Sequence, residues 1–135
     1  MNIDDRLYEE VLKAYRNAYT PYSKFNVGAA LLMEDGTIIT GSNIENASYG
    51  LSNCAERSAL FAAYSQGFRK KDIKRMMIIG GTDRPISPCG ACRQVMSELI
   101  DLDVEVVLTN LKGDKKIMKV KDFLPYVFTD GDLNG

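Results

Sequence analysis

Cys54, Cys89 and Cys92 are the only cysteines in a chain of 135 residues, and the chain has no histidine. They sit in two short stretches, Cys54-Ala55-Glu56-Arg57 and Pro88-Cys89-Gly90-Ala91-Cys92. Three thiolates can share one zinc ion. A closed structural zinc site almost always takes four protein ligands, usually Cys or His, whereas a catalytic site keeps three and leaves one position for water. No fourth Cys or His exists here, so zinc held by these cysteines is a catalytic zinc. Read alone, the C-x-x-C also fits a redox pair, two inert buried cysteines or a zinc-binding interaction module. The redox reading normally places the motif early in the fold, and here it comes late, after a third cysteine that opens an earlier helical run. For the interaction module, the missing fourth ligand counts against it.

The neighbours of the cysteines carry the rest of the chemistry. Three thiolates leave the ion with a net charge of about −1, which weakens it as a Lewis acid unless a cation lies close to the sulfurs. Arg57, three residues from Cys54 on the same helical face, is placed to be that cation; its plainer role is a surface ion pair. Glu56 has a structural alternative too, because Asn53-x-x-Glu56 fits a capping box. The stretch around it is apolar, however, and a carboxylate two residues from a ligand is placed to take a proton from water at the open position. That second role is the one expected.

The elements that must position these groups follow from periodicity and turn residues. Residues 4–19 read as an amphipathic helix with Leu7, Val11, Ala14, Tyr15 and Ala18 on one face, stopped by Pro21. Residues 27–33 and 38–40 form a hairpin around Asp35-Gly36. The small Gly28-Ala29-Ala30 run needs something large lying against it. Residues 41–50 form a long polar loop. A helix over 54–66 is apolar almost all round, hence central, and Gly67 ends it. A buried strand spans 73–80. A second helix runs over 88–100, with Ser87 as N-cap and Pro88 in the first position. Strands over 104–109 and 117–120 flank the Lys112-Gly113-Asp114 turn, and 122–124 start one helical turn. The tail, 129–135, is expected to be frayed. Strand–helix–strand alternation in the middle calls for parallel neighbours. The expected fold is a single α/β domain over 1–135, a three-layer α/β/α sandwich with a mixed five-stranded sheet. Cys54 and Cys89 then open two helices that enter from one edge of the sheet.

Charge and composition exclude several function classes. A net charge of −1 offers no basic field for a phosphate backbone, so no nucleic-acid partner is expected. No apolar run approaches the ~18 residues of a membrane helix, and the acidic start lacks a signal-peptide pattern. Three cysteines, two of them in a C-x-x-C, suit a reducing cytoplasm.

Cys-x-Glu followed by Pro-Cys-x-x-Cys is the known signature of zinc deaminases of nucleosides and nucleobases. The longer context narrows it: Tyr22-Ser-x-Phe25-x-Val27-Gly28-Ala29-Ala30, then Gly41-x-Asn43-x-Glu45-Asn46-Ala47-Ser48-Tyr49-Gly50, then Pro88-Cys89-Gly90-Ala91-Cys92-Arg93-Gln94. Over residues 5–128 the chain resembles the small homotetrameric cytidine deaminases. That resemblance implies one Zn2+ per subunit on Cys54, Cys89 and Cys92, with Glu56 moving the protons. It implies that cytidine and deoxycytidine are hydrolysed to uridine and deoxyuridine with release of ammonia, in pyrimidine salvage. It also implies that Asn43 and Glu45 bind the ribose, Glu45 at the 3′-hydroxyl. Phe25 packs on the nucleoside, Ala47, Ser48 and Tyr49 line the pocket, and the Ala55 N–H orients the base. Phe128 comes from a neighbouring subunit to cover the pyrimidine. Without the resemblance, Phe25 and Phe128 read as ordinary core. An aminoacylated nucleoside antibiotic would call on the same zinc chemistry, and an edited RNA would need a basic stripe that this chain lacks.

Overall fold

A computed structural model describes residues 2–133. Helix α1 (Ile3–Arg16) is capped by Asn2, whose side chain accepts the Asp5 N–H at 2.9 Å, and it carries Asp4 and Asp5 in its first turn. It ends well before Pro21. The cause is tertiary: Tyr19 N–H donates to Asn43 O and Glu45 N–H donates to Tyr19 O, so the chain is drawn into an extended bridge with Ile44. The hairpin strands are β1 (Val27–Met33) and β2 (Ile38–Ser42), the second running two residues beyond the expected end. A short 3-10 turn over Tyr49–Leu51 interrupts the polar loop before helix α2 (Ala55–Ser65). Strand β3 (Ile73–Gly80) follows, then α3 (Gly90–Leu99), β4 (Glu105–Asn110), β5 (Lys115–Lys119), α4 (Val120–Phe123) and α5 (Asp130–Leu133).

The five strands form one sheet in the order β2-β1-β3-β4-β5. β1 is antiparallel to β2 and to β3, β3 is parallel to β4, and β4 is antiparallel to β5. The single parallel pair is joined through α3, as a parallel connection demands. One face is covered by α1, whose Leu7 and Val11 pack on Ala30, Met77, Ile79 and Val107. The other is covered by α2, α3 and α4, through Leu60, Met96, Ile100 and Phe123 on Leu31, Met76, Ile78 and Val106. The result is the expected three-layer α/β/α sandwich. β3 lies between both layers, which is why its Met76-Met77-Ile78-Ile79 stretch is a continuous apolar run rather than an alternating one.

Two glycines set how close the helices come. A Cβ on Gly28 would lie 2.5 Å from Val11 O and 2.7 Å from Tyr15 N, so the large object expected against the small-residue run is the backbone of α1 itself. A Cβ on Gly41 would lie 2.5 Å from Ala55 O and would also strike the Ala59 backbone, so β2 touches α2 directly.

Both helices that carry cysteines start later than their sequences suggest. The N-cap of α2 is Cys54, and the N-cap of α3 is Cys89. Ser87 and Pro88 do not open α3, because Arg93 reaches back and ties both down in an extended lead: its Nη2 donates to Ser87 Oγ at 2.6 Å and its Nε to Pro88 O at 2.9 Å. The last part of the chain is also shifted. β5 begins at Lys115 rather than 117, since its pairing with β4 runs from Thr109↔Lys115 to Glu105↔Lys119, and α4 takes over at Val120. Within the tail, Asp130–Leu133 make one exposed helical turn, with Thr129 N–H on Asp132; positions 134 and 135 lie outside the described residues.

Candidate metal centre and active site

The ligand atoms of Cys54, Cys89 and Cys92 lie within 4.8 Å of one another, although they come from two helices on either side of β3 in the chain. The Sγ atoms of Cys54 and Cys89 are 3.8 Å apart. Tetrahedral zinc with Zn–S bonds near 2.3 Å needs sulfurs separated by ~3.8 Å, so the cluster fits that ion. Among the described residues no fourth His, Cys, Asp or Glu joins the group. Both N-cap positions put cysteines where unpaired helical N–H groups and the helix dipole favour thiolates, and Cys92 follows Cys89 one turn on, fully buried.

Arg57 points its Nη2 at Cys54 Sγ, 3.3 Å away, and its Nε is buried with no partner. Among the described residues it makes no ion pair; its guanidinium is turned to the sulfurs instead. The Cys54 thiol is drawn down to about 5, first by its hydrogen bond with Cys92 and then by those from Arg57 and Cys89. Cys92 is pushed up by the same pairing with Cys54 and by burial.

Glu56 is not a capping residue. Cys54 takes the N-cap position, and Asn53 instead donates from its side chain to Ser58 Oγ at 3.2 Å. Glu56 is 4% exposed, a carboxyl group buried at the start of a central helix. Burial raises its pKa above the ordinary carboxylate value, and the thiolate of Cys54 pushes in the same direction. A buried carboxyl group with a raised pKa holds a proton more readily than an exposed one.

A cavity of about 190 Å3 opens onto this cluster, lined by Phe25, Val27, Asn43, Cys54, Ala55, Glu56, Ile86, Ser87 and Cys89. Six of the residues expected at the site from the sequence therefore meet in one place. A second cavity shares the Tyr22–Phe25 turn with the first and is lined by Tyr22, Ser23, Glu45, Tyr49 and Ser52. Ala47 and Ser48 line neither; both are exposed, and Ser48 caps the 3-10 turn. Phe25 and Phe128 are 43% and 57% exposed, which rules out the plain core reading of either. Phe128 lies away from its own chain's cluster, beside Lys70, Ser97 and Leu102, with its carbonyl held by Gln94 Nε2. Ile86 was not singled out from the sequence, and Ser87 was read there only as a helix cap. Ile86 packs where a Gly80 side chain would be, a contact with no local sequence signal.

A three-sulfur zinc cluster beside a buried glutamate, on a mixed five-stranded sandwich, defines a class: hydrolytic zinc deaminases. Comparison with known proteins agrees. Residues 1–108 match the family model described as the cytidine and deoxycytidylate deaminase zinc-binding region. The cytidine deaminase of Halalkalibacterium halodurans is 55% identical over 128 residues, covering 95% of this chain and 96% of that protein. The cytidine deaminase of Sporosarcina psychrophila is 51% identical over 130 residues, covering 96% and 94%. The crystal structure of cytidine deaminase from Burkholderia pseudomallei superposes with a TM-score of 0.90 at 50% identity, covering 95% of this chain and all of that one. The chain belongs to the cytidine and deoxycytidylate deaminase family, as a zinc-binding hydrolase.

Proposed function

We propose that this protein removes the amino group of cytidine and deoxycytidine by hydrolysis, giving uridine or deoxyuridine and ammonia. The observation that carries the reading is Glu56: a buried carboxyl group in the same cavity as Cys54 and Cys89, two residues from a metal ligand. Zinc on Cys54, Cys89 and Cys92 would supply a water molecule ionised near neutral pH as the nucleophile. Arg57 offsets the charge of the three sulfurs. Glu56 takes the proton that this water gives up and passes it to N3 of the pyrimidine, which makes C4 electrophilic. It then takes the proton of the hydroxyl newly bonded to C4 and hands it to the amino nitrogen, so that the C4–N bond breaks, the C4 carbonyl forms and ammonia leaves. Its raised pKa suits both transfers, because burial makes it a stronger base than an ordinary carboxylate and so a better acceptor of the proton it later returns.

The remaining residues bind and orient. Phe25 packs against the nucleoside, the Ala55 N–H orients the base, and Asn43 and Glu45 hold the ribose. Tyr49 closes the sugar side, with Ala47 and Ser48 beside it. Phe128 reaches the pyrimidine of a neighbouring subunit in a homotetramer, consistent with its exposure and its distance from its own cluster. No helix among the described residues is long and apolar enough to cross a membrane, and the acidic balance of the chain speaks against a nucleic-acid substrate. Pyrimidine salvage in the cytoplasm is the setting that suits such an activity. The direct test is the loss of cytidine absorbance with and without a zinc chelator. Turnover that the chelator abolishes and added zinc restores is the expected result. A zinc-loaded protein inactive on every free nucleoside would overturn the reading.

A further inference from the structure

The turn that carries Phe25 is held by one hydroxyl that faces two ways. Glu45 Oε1 accepts the N–H groups of Tyr22 and Ser23, each at 3.1 Å, and Glu45 Oε2 accepts the Ser23 hydroxyl. The same Ser23 Oγ accepts the Phe25 N–H at 3.0 Å. On its other side Phe25 is held by Asn43, whose Nδ2 donates to Phe25 O at 2.8 Å while its Oδ1 accepts the Val27 N–H at 2.8 Å. The turn between them is not a relaxed one: Lys24 sits at φ 59, in the left-handed region that non-glycine residues rarely adopt. Something must keep it there, and Ser23 is the side chain that connects its two ends.

We propose that Ser23 is a positioning residue for the deamination: its hydroxyl, donating to Glu45 and accepting from Phe25, fixes the sugar-binding carboxylate and the base-packing ring relative to each other. A carboxylate has about four acceptor positions. Three on Glu45 are filled by Tyr22 and Ser23, and one remains for a hydroxyl of the ligand. Ser23 thus sets the direction of the remaining acceptor position and, through the Phe25 backbone, the place of the ring that lines the cavity with Glu56. It touches neither the metal ligands nor Glu56, so its loss is felt in binding rather than in proton transfer. This inference rests on the nucleoside deaminase reading given above.

The experiment compares wild-type protein with Ser23→Ala and Ser23→Thr, measuring kcat, KM, zinc content and thermal unfolding, on cytidine and on 2′,3′-dideoxycytidine. For Ser23→Ala, KM for cytidine rises about tenfold, as expected for a lost hydrogen bond to a charged group. Its kcat stays within about twofold and its zinc content is unchanged. On the dideoxy substrate the penalty shrinks, because the hydroxyl that Glu45 would accept is gone. Ser23→Thr, which keeps the hydroxyl on an exposed position, restores KM. The inference is overturned if KM for cytidine does not move in Ser23→Ala, if both substrates are penalised alike, or if threonine fails to rescue. Wild-type protein without turnover on either substrate sinks the deaminase reading itself, and this inference with it.

Discussion

Glu56 shows how little local sequence says about a side chain with two plausible roles. Three residues after an asparagine, it fits a capping box; in the structure the cap moves one position on, and the carboxyl group is left buried beside Cys54. Replacing it by glutamine keeps the shape and leaves all three sulfurs in place. Glu56→Gln should therefore retain zinc by elemental analysis while turnover falls by about 10²- to 10⁴-fold, the usual contribution of a positioned acid or base. Near-normal turnover would remove Glu56 from the mechanism. A second carboxyl group tests electrostatics away from the site. Asp4 accepts from Arg75 Nε at 2.7 Å and Nη2 at 3.0 Å, tying the first turn of α1 to β3. That hydrogen-bonded pair holds the Asp4 carboxyl below its ordinary value of 3.8. A depressed folded-state pKa adds stability that is fully present above the unfolded value and is lost as pH falls through the folded one. Asp4→Asn should cost about 1 kcal/mol at neutral pH. In urea titrations the gap from wild type should close only below about pH 4, where wild-type Asp4 itself becomes protonated.

At the scale of elements, the helices sit where glycines let them. Gly28→Ala pushes β1 from α1, on the face away from the metal, and Gly41→Ala pushes β2 from the first turns of α2, which carry Glu56 and Arg57. Each should cost about 1–3 kcal/mol by overpacking. Only Gly41→Ala should also lower zinc occupancy and turnover measured well below its melting temperature. Equal effects on occupancy would show that the site is not sensitive to the seating of α2. The limits of α1 and α3 also mark what the sequence could and could not say. The apolar spacing of α1 and the Met76–Ile79 run of β3 announce themselves, because each reports a face or a layer directly. The end of α1 did not, since it is set by pairing of Tyr19 with a segment far along the chain. Ser87-Pro88 is a sound helix start by local rules and is overruled by Arg93 reaching back from the helix interior. In the site, the three sulfurs, Glu56 and Arg57 were legible because chemistry restricts which residue types can serve. Ser23 was visible only as part of a motif, because a hydroxyl between two backbone turns has no spacing rule.

For the molecule as a whole, one chain displays a cluster and a cavity but keeps Phe128 elsewhere. If subunits share sites, the defects of Glu56→Gln and Phe128→Ala lie in different copies of one active site. Phe128→Ala should raise KM by about tenfold or more through lost stacking. Unfolding the two variants together and refolding the mixture should give more activity than the sum of the separate samples, since some sites then pair a wild-type Glu56 with a neighbour's Phe128. No gain would mean that each chain works alone.

Cys54 and Cys89 are 35 residues apart along the chain, and all of β3 lies between them. Bringing such distant points together costs little more entropy than a shorter loop would, but it imposes an order of events. Cys89 and Cys92 are neighbours in sequence, but the third sulfur joins them only when the middle strand is seated, so the complete three-sulfur grip requires that centre to be in place. Three-point capture of zinc is then a readout of an assembled core.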